Sequence, residues 1–291
     1  MTGTTTAAAS LSVRLITYNI RWAVTQPVKG EKPWSIRRPK LCAQLQFIAS
    51  AHPSAFICLQ EVTYPQLEDI QASLGPSWNH IGRGRDDGKK GGEFSPIFFQ
   101  PSHWTLARSQ TYWLSSTPST PSVGWDAALP RVVTVGSFRH THSSSGTETP
   151  GLVVMSTHLD HHGPIARQQS AHLLLQLAKS WAQDEKAPVF LGGDFNSTPD
   201  STVYETLTAA GSGMRDIAGL VQESSRYGNP EVTYTTFGEA GETPGRLDYL
   251  FVRDKDSRVR FRMYGILPNR FDDGVFLSDH RPVVADVEIA I

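Results

Sequence analysis

Cysteine is scarce in this chain: Cys42 and Cys58 are the only two among 291 residues. Both sit among apolar neighbours, so buried free thiols are expected, and a disulfide framework is not needed to hold the fold. Long hydrophobic runs are missing too, which argues against a helix that spans a bilayer. Excess charge of either sign is missing: 27 Lys and Arg stand against 28 Asp and Glu. That balance argues against a broad basic face that coats nucleic acid, although it leaves room for a local basic groove. No Gly/Ser, Pro or charge-rich linker divides the chain, and no short-period repeat is visible. Residues 11–291 therefore read as one domain, and the protein as a monomer. The Thr/Ala-rich residues 1–10 are expected to form a disordered tail. They lack the basic and apolar regions of a secretory signal, which points to a cytoplasmic protein, or a secreted one if a signal has been removed.

What the chain does have is concentrated in Pro188–Pro199, which reads P-V-F-L-G-G-D-F-N-S-T-P. Val189-Phe190-Leu191 reads as a strand buried on both faces. Gly192 and Gly193 then remove side chains and let the backbone approach something closely. Asp194 and Asn196 follow two residues apart, so an extended backbone would point both to one side. Thr198 and Pro199 read as the N-cap and first residue of a helix. A carboxylate and an amide are thus delivered at the C-terminal end of a central strand, where α/β sheets bind ligands.

The same ending recurs along the chain. Leu11–Trp22 reads as a strand carrying Asn19 near its end. Ala55–Leu59 is a buried strand followed by Gln60-Glu61, and Leu152–Thr157 delivers His158. Asp248 lies near the start of the strand Leu247–Val252, and Asp279-His280 precede a terminal strand, Val283–Ile289. A further strand is expected near Tyr112–Leu114 and a polar hairpin loop over His140–Pro150. Trp34–Ser50 and Pro164–Trp181 have helical periodicity, with Ser35 capping the first and Pro39 in its opening turn. Alternating strands and helices with antiparallel hairpins between them give an α/β fold. The expected form is a four-layered α/β sandwich, two mainly antiparallel sheets packed face to face with helices outside.

Each polar residue taken alone has a plain alternative. Asn19 could form a turn, Glu61 could be a surface carboxylate, and Asp248 could pair with Arg246. Together they form a pattern in which apolar strands end repeatedly in acid, amide or imidazole. Hard oxygen donors with few cysteines suit Mg2+ or Mn2+ rather than a structural zinc. Two histidines beside carboxylates suit proton transfer and charge stabilisation at a phosphoryl group.

The stretches T-Y-N-I, L-Q-E-V, S-T-H-L-D, G-G-D-F-N-S-T-P, R-L-D-Y-L-F-V and S-D-H-R-P-V-V resemble, in order and spacing, the motifs of the endonuclease/exonuclease/phosphatase superfamily, which has the DNase I-like fold. The resemblance runs from about Leu11 to Ile289. It implies phosphoester hydrolysis by in-line attack of an activated water, dependent on Mg2+ or Mn2+ and without a covalent intermediate. It further implies that Glu61 binds the metal, with Asn19 and Asp279 close to it. Asp194 would orient the attacking water, and Asn196 would hold that water or a phosphate oxygen. His158 and His280 would contact the scissile phosphate, and Asp248 would fix the tautomer of His280.

The substrate is less sharply marked. K-P-W-S-I-R-R-P, G-E-F-S-P-I-F-F and G-W-D-A-A-L-P-R resemble a microbial branch of the superfamily, and they offer Trp34, Arg37, Glu93 and Arg131 as a substrate wall. Core packing is an equal reading for Trp34. Ile20-Arg21-Trp22 departs from the pattern of abasic-site endonucleases. The balanced charge favours a small or end-exposed phosphoester as partner. Single-stranded nucleic acid, cut by an exonuclease or deadenylase type of enzyme, is the alternative, with Arg83, Arg85, Lys89 and Lys90 of the Gly82–Gly92 loop as its contacts. Ser156–His161 is one residue from the H-x-H-x-D-H zinc signature of metallo-β-lactamase-type hydrolases, with Ser156 in the place of the first histidine. That reading leaves the GDFN and SDH stretches unexplained. A non-catalytic module on the same fold would typically have lost a ligand or a histidine, and every core position is present here.

Overall fold

The computed structural model describes residues 10–141 and 151–290. The expected tail, apart from Ser10, and positions 142–150 of the expected hairpin loop lie outside the described residues. In chain order, β1 (Ser10–Asn19) leads through α1 (Trp34–Ala49) to β2 (Phe56–Gln60), and α2 (Tyr64–Leu74) leads to β3 (Asn79–Ile81) and β4 (Ile97–Phe99). Next come β5 (Trp104–Trp113), β6 (Val132–His140), β7 (Gly151–His158), α3 (Pro164–Glu185) and β8 (Val189–Asp194). After α4 (Thr202–Thr208) the remaining strands are β9 (Arg215–Asp216), β10 (Arg226–Tyr227), β11 (Asp248–Arg253), β12 (Val259–Ile266) and β13 (Val283–Ala290).

These strands make two sheets, ordered β10-β12-β13-β1-β2-β4-β3 and β5-β6-β7-β8-β11-β9. Most neighbours are antiparallel, while β1–β2, β7–β8 and β10–β12 run parallel. The apolar strands are explained by burial of both faces. Along β2, Phe56 and Cys58 face the space between the sheets, whereas Ile57 and Leu59 pack with Leu41, Leu45 and Ile48 of α1. Along β8, Phe190 joins the same inter-sheet core, while Val189 and Leu191 meet Ala171, Leu174 and Trp181 of α3. Three apolar cores therefore separate four layers. Phe56 anchors the middle one against Trp104 and Phe138, at ring-centroid distances of 4.9 and 4.7 Å. Fully burying one such side chain stabilises the fold by about 1.5–3 kcal/mol.

Several local expectations are corrected. β1 begins at Ser10, paired with Ala290, and stops at Asn19 rather than Trp22. The buried guanidinium of Arg37 takes the carbonyls of Ile20, Arg21 and Trp22, which turns that segment away from the sheet. α1 is preceded by Pro33, not capped by Ser35, and Pro39 lies beyond the first turn. Lacking an N–H, Pro39 leaves the carbonyl of Ser35 without its helical donor. Thr198 and Pro199 sit in a turn before α4. The Thr198 hydroxyl donates to Asp200, and Ser201 caps the helix by accepting from the Tyr204 N–H at 3.2 Å. β5 starts at Trp104, ahead of the expected Tyr112, because its polar first half lies along a solvent-facing sheet edge.

Candidate active site

Two of the three parallel strand pairs deliver the site. Asn19 and Gln60 are register partners at the ends of β1 and β2, with Glu61 next in the chain, and His158 and Asp194 are partners at the ends of β7 and β8. Asp248 opposes Asp194 from β11. The loop before β13 adds Asp279 and His280, tied to β1 by the Ser278 hydroxyl, which donates to the carbonyl of Asn19 at 2.7 Å. Glu61, Asp194, Asn196, His158, Asp279 and His280 all line one open pocket of about 930 Å3. The backbone is bent to bring them there: Arg21, Glu61 and Asn196 have φ of 58°, 59° and 46°. Left-handed conformations cost a non-glycine residue free energy and persist where the surroundings over-determine them. Asn196 consequently does not follow Asp194 in extended register; its N–H bends back to donate to Asp194 Oδ1 at 2.9 Å.

Asn19 stands at the junction of the two sheets. Its Nδ2 donates to Glu61 Oε1 and to Asp194 Oδ2, both at 2.9 Å, while its Oδ1 accepts the Arg21 N–H. Glu61 Oε2 accepts the Trp22 N–H at 3.1 Å, with Arg21 Nη1 4.0 Å away. Burial works against its charge, but Arg21 and these donors outweigh it and hold the Glu61 carboxyl below the usual range. For Asp194 burial wins and pushes the carboxyl well up. Asp279 is likewise raised, to about 6, by burial first, with Glu61 adding to it against the opposing pull of His280.

His280 Nδ1 lies 2.8 Å from Asp248 Oδ2, and its Nε2 lies 3.6 Å from Asp194 Oδ2. Burial opposes the imidazolium, yet Asp248 and then Asp194 overcome it and raise His280 to about 10. Asp248 is therefore engaged with the histidine; Arg246 is paired elsewhere, with Asp216 at 2.7 Å. His158 behaves in the opposite way. Burial, reinforced by Arg131 and Arg85, holds it neutral. The Asn196 amide faces its Nε2 at 3.0 Å, which assigns the ring proton to Nδ1, the atom 3.8 Å from Glu93 Oε2.

Of the expected substrate wall, Glu93 and Arg131 line the pocket. Trp34 and Arg37 are placed elsewhere: Trp34 donates to Asp69 at 2.8 Å beside the helix core, and Arg37 is fully buried among carbonyls. The basic loop is divided: Arg83 lies at a separate crevice, whereas Arg85, buried on Glu93 at 2.8 Å, and Lys90, over the ring of Tyr64 at 4.0 Å from its centroid, both line the pocket. Of the zinc-like stretch, His158 and His161 line the pocket, whereas Asp160 is spent on structure, its Oδ1 accepting N–H groups of Ala128, His162 and Gly163. Sequence reasoning missed Arg21 and Tyr234, both on the pocket wall, the latter with its ring 5.0 Å from that of His280. The break from the usual motif at Ile20-Arg21-Trp22 was a signal for Arg21. Tyr234 has none, because a loop from outside every motif brings it in.

Glu61, His158 and Asp194 each place a donor atom within 4.8 Å of the others. Carboxylates gathered this closely, with Asp194 and Asp279 raised by burial first and by neighbouring carboxylates second, fit a divalent cation that favours oxygen donors. Asp194, Asp248 and His280 form a second compact set, but there the histidine is already committed to Asp248. An oxygen-rich centre at parallel strand ends, flanked by two imidazoles, is the arrangement of a phosphoester hydrolase, and Glu61, His158 and Asp194 are the residues that could hold a metal. The chain belongs to the endonuclease/exonuclease/phosphatase family, whose model matches residues 16–280. A comparison with curated protein sequences gave no significant match. Among solved structures, a family protein from Bacteroides vulgatus is 32% identical with TM-score 0.81, covering 96% of this chain and 99% of that one. Another from Bacteroides thetaiotaomicron is 28% identical with TM-score 0.81, covering 97% and 100%. A mannosyl-6-phosphatase from Bacteroides thetaiotaomicron is 28% identical with TM-score 0.80, covering 94% and 99%.

Proposed function

We propose that this enzyme hydrolyses small phosphomonoesters by in-line attack of water, with Mg2+ or Mn2+ held by Glu61 and its neighbours. The observation that carries the reading is the His280–Asp248 pair at 2.8 Å, whose Nε2 lies 3.5 Å from Asn19 Nδ2 and 3.6 Å from Asp194 Oδ2 in the carboxylate-lined pocket. A bound cation would neutralise charge on the phosphoryl oxygens. Asp194, fixed by Asn19 and by the Asn196 N–H, is held ready to take a proton from the attacking water. As the new P–O bond forms, the bond to the leaving alcohol breaks, and the alkoxide is protonated from solvent. His280, charged and oriented by Asp248, donates from Nε2 to a phosphoryl oxygen and stabilises the charge that develops there. Asn196 directs its amide toward His158 and the same space. The mannosyl-6-phosphatase neighbour supports a small ester, and so does the gathering of Arg85 and Lys90 at the pocket itself, with Arg83 of the same loop apart at a separate crevice.

The test is a panel of sugar phosphates, p-nitrophenyl phosphate, bis-p-nitrophenyl phosphate and single-stranded oligonucleotides, each with Mg2+, Mn2+ or excess chelator. Cation-dependent release of inorganic phosphate from the monoesters is expected to exceed cleavage of the diester and oligonucleotides by about a hundred-fold or more in kcat/KM, the scale of one well-used transition-state contact. Faster cleavage of the oligonucleotides would replace this reading by the nuclease one.

A further inference from the structure

Arg21 is a cation to which the proposed hydrolysis gives no task. It stands on the pocket wall with 22% of its side chain exposed, so a ligand can reach it. Its guanidinium is held along one edge only. Nε donates to Glu31 Oε1 at 3.2 Å and Nη2 to Glu31 Oε2 at 3.5 Å, whereas Nη1 has its nearest carboxylate, Glu61 Oε2, 4.0 Å away. A cation placed only to neutralise Glu61 would sit at hydrogen-bond distance from it. The short contacts of Arg21 go to Glu31 instead.

Glu31 is a fixed anchor. Its side chain is fully buried, accepts the Val28 N–H at 3.1 Å, and has Arg37 Nη2 3.9 Å away. The Arg21 backbone is clamped as well, its N–H on Asn19 Oδ1 and its carbonyl accepting from Gln66 Nε2, both at 3.0 Å. Behind it the loop is closed at Gly30, where a Cβ would stand 2.2 Å from the Phe237 carbonyl oxygen. A guanidinium ordered in advance loses little freedom when an anion arrives. Asp279 feels the charges of both His280 and Arg21, so two cations flank the carboxylate floor.

A guanidinium stays protonated, so Arg21 serves neither as base nor as metal ligand; it binds an anion. A phosphomonoester carries a charge of about −1.5 to −2 and three terminal oxygens. A diester carries a single charge and two. A cation at Glu61 and the Nε2 of His280 would serve two oxygens, and the open Nη1 of Arg21 offers a donor for the third.

We infer that Arg21, aimed by the positioning residue Glu31, binds the third terminal oxygen of the transferred phosphoryl group and thereby selects monoesters over diesters. This rests on the small-phosphomonoester reading above. Arg21→Gly is the direct test, because glycine takes a φ of 58° without strain. Arg21→Gly with Glu31→Gln also removes the carboxylate that the single variant leaves unpaired. With Mn2+ present, both are expected to lose about a hundred-fold in kcat/KM on p-nitrophenyl phosphate but only about three-fold on bis-p-nitrophenyl phosphate. The inhibition constant of inorganic phosphate should rise about ten-fold or more in both, as loss of a charge-assisted hydrogen bond implies. Glu31→Gln alone should raise it less. The increase in melting temperature on adding Mn2+ should persist, since the group removed is a cation beside Glu61. Equal losses on monoester and diester, an unchanged phosphate inhibition constant, or a lost Mn2+ effect would overturn this role and leave phosphomonoester hydrolysis standing. A wild-type enzyme that cleaves oligonucleotides and no phosphomonoester would overturn the functional reading itself, and the role of Arg21 with it.

Discussion

Replacing Glu61 by glutamine is expected to lower phosphoester hydrolysis by about a hundred- to thousand-fold or more, the scale on which centrally placed electrostatic groups act. The fold is expected to survive. Glutamine keeps the shape and can still accept from Asn19 or from the Trp22 N–H, but not from both. One lost hydrogen bond costs about 1 kcal/mol. Removing the charge also relieves repulsion with Asp279, so the two effects partly offset each other. A second readout is independent of turnover. Saturating Mn2+ should raise the melting temperature of the wild-type protein, because a ligand that binds only the folded state stabilises it, and the shift should shrink in the variant. Full activity in Glu61→Gln, or an undiminished Mn2+ shift, would remove Glu61 from the metal centre.

The second large effect concerns His280 and Asp248, which act as one unit if their hydrogen bond does what its geometry suggests. His280→Ala is expected to cut turnover by about two to four decades, the range for a positioned acid–base or charge-stabilising group. Asp248→Asn alone should also cost heavily, because the amide cannot match the carboxylate in fixing the ring proton on Nδ1 and supporting its charge. Adding Asp248→Asn to His280→Ala should then cost little more, since what Asp248 supports has already gone. Stability should move in the opposite sense. Asp248 is fully buried, so His280→Ala strands a carboxylate, a change worth about 3–5 kcal/mol in comparable buried pairs. The double variant should therefore melt higher than His280→Ala. Strictly additive rate losses at saturating metal, or a double variant less stable than the single one, would show that the residues work independently.

The layered fold was legible because its cause is local. Val189–Leu191 and Phe56–Leu59 are apolar at every position, and only a strand covered on both faces requires that. The residues at the strand ends were legible for the same reason, as polar groups interrupting apolar runs. Partnership was harder to read. Asp248 could as well have belonged to Arg246, and what decides otherwise is the antiparallel register that sets Asp248 against Asp194. Arg37 looked like a ligand-binding cation because its charge is visible in sequence, whereas the carbonyls of Ile20 and Leu277 that surround it are not. Backbone conformation was also hidden. Nothing in the side-chain pattern announces that Arg21 and Glu61 adopt positive φ, since glycine and asparagine are the usual markers for such positions; only Asn196 carries that mark.

The two thiols lie in different seams of the sandwich, and this makes them reporters of how the layers come apart. Cys42 is on α1, in the seam between helices and first sheet, whereas Cys58 lies between the sheets with its Sγ 3.9 Å from the carbonyl of Met155 on the opposite one. Burial pushes both thiols up, Cys58 to about 12, so neither supplies much reactive thiolate until it meets water. Peeling α1 away should expose Cys42 at a modest free-energy cost, while Cys58 waits for the sheets to separate, an event close to global unfolding. A thiol reagent in native buffer is therefore expected to modify Cys42 well before Cys58, with the rate at Cys58 rising with urea as steeply as the main unfolding transition. Equal rates at the two sites would mean that the four layers open together, as a single cooperative body.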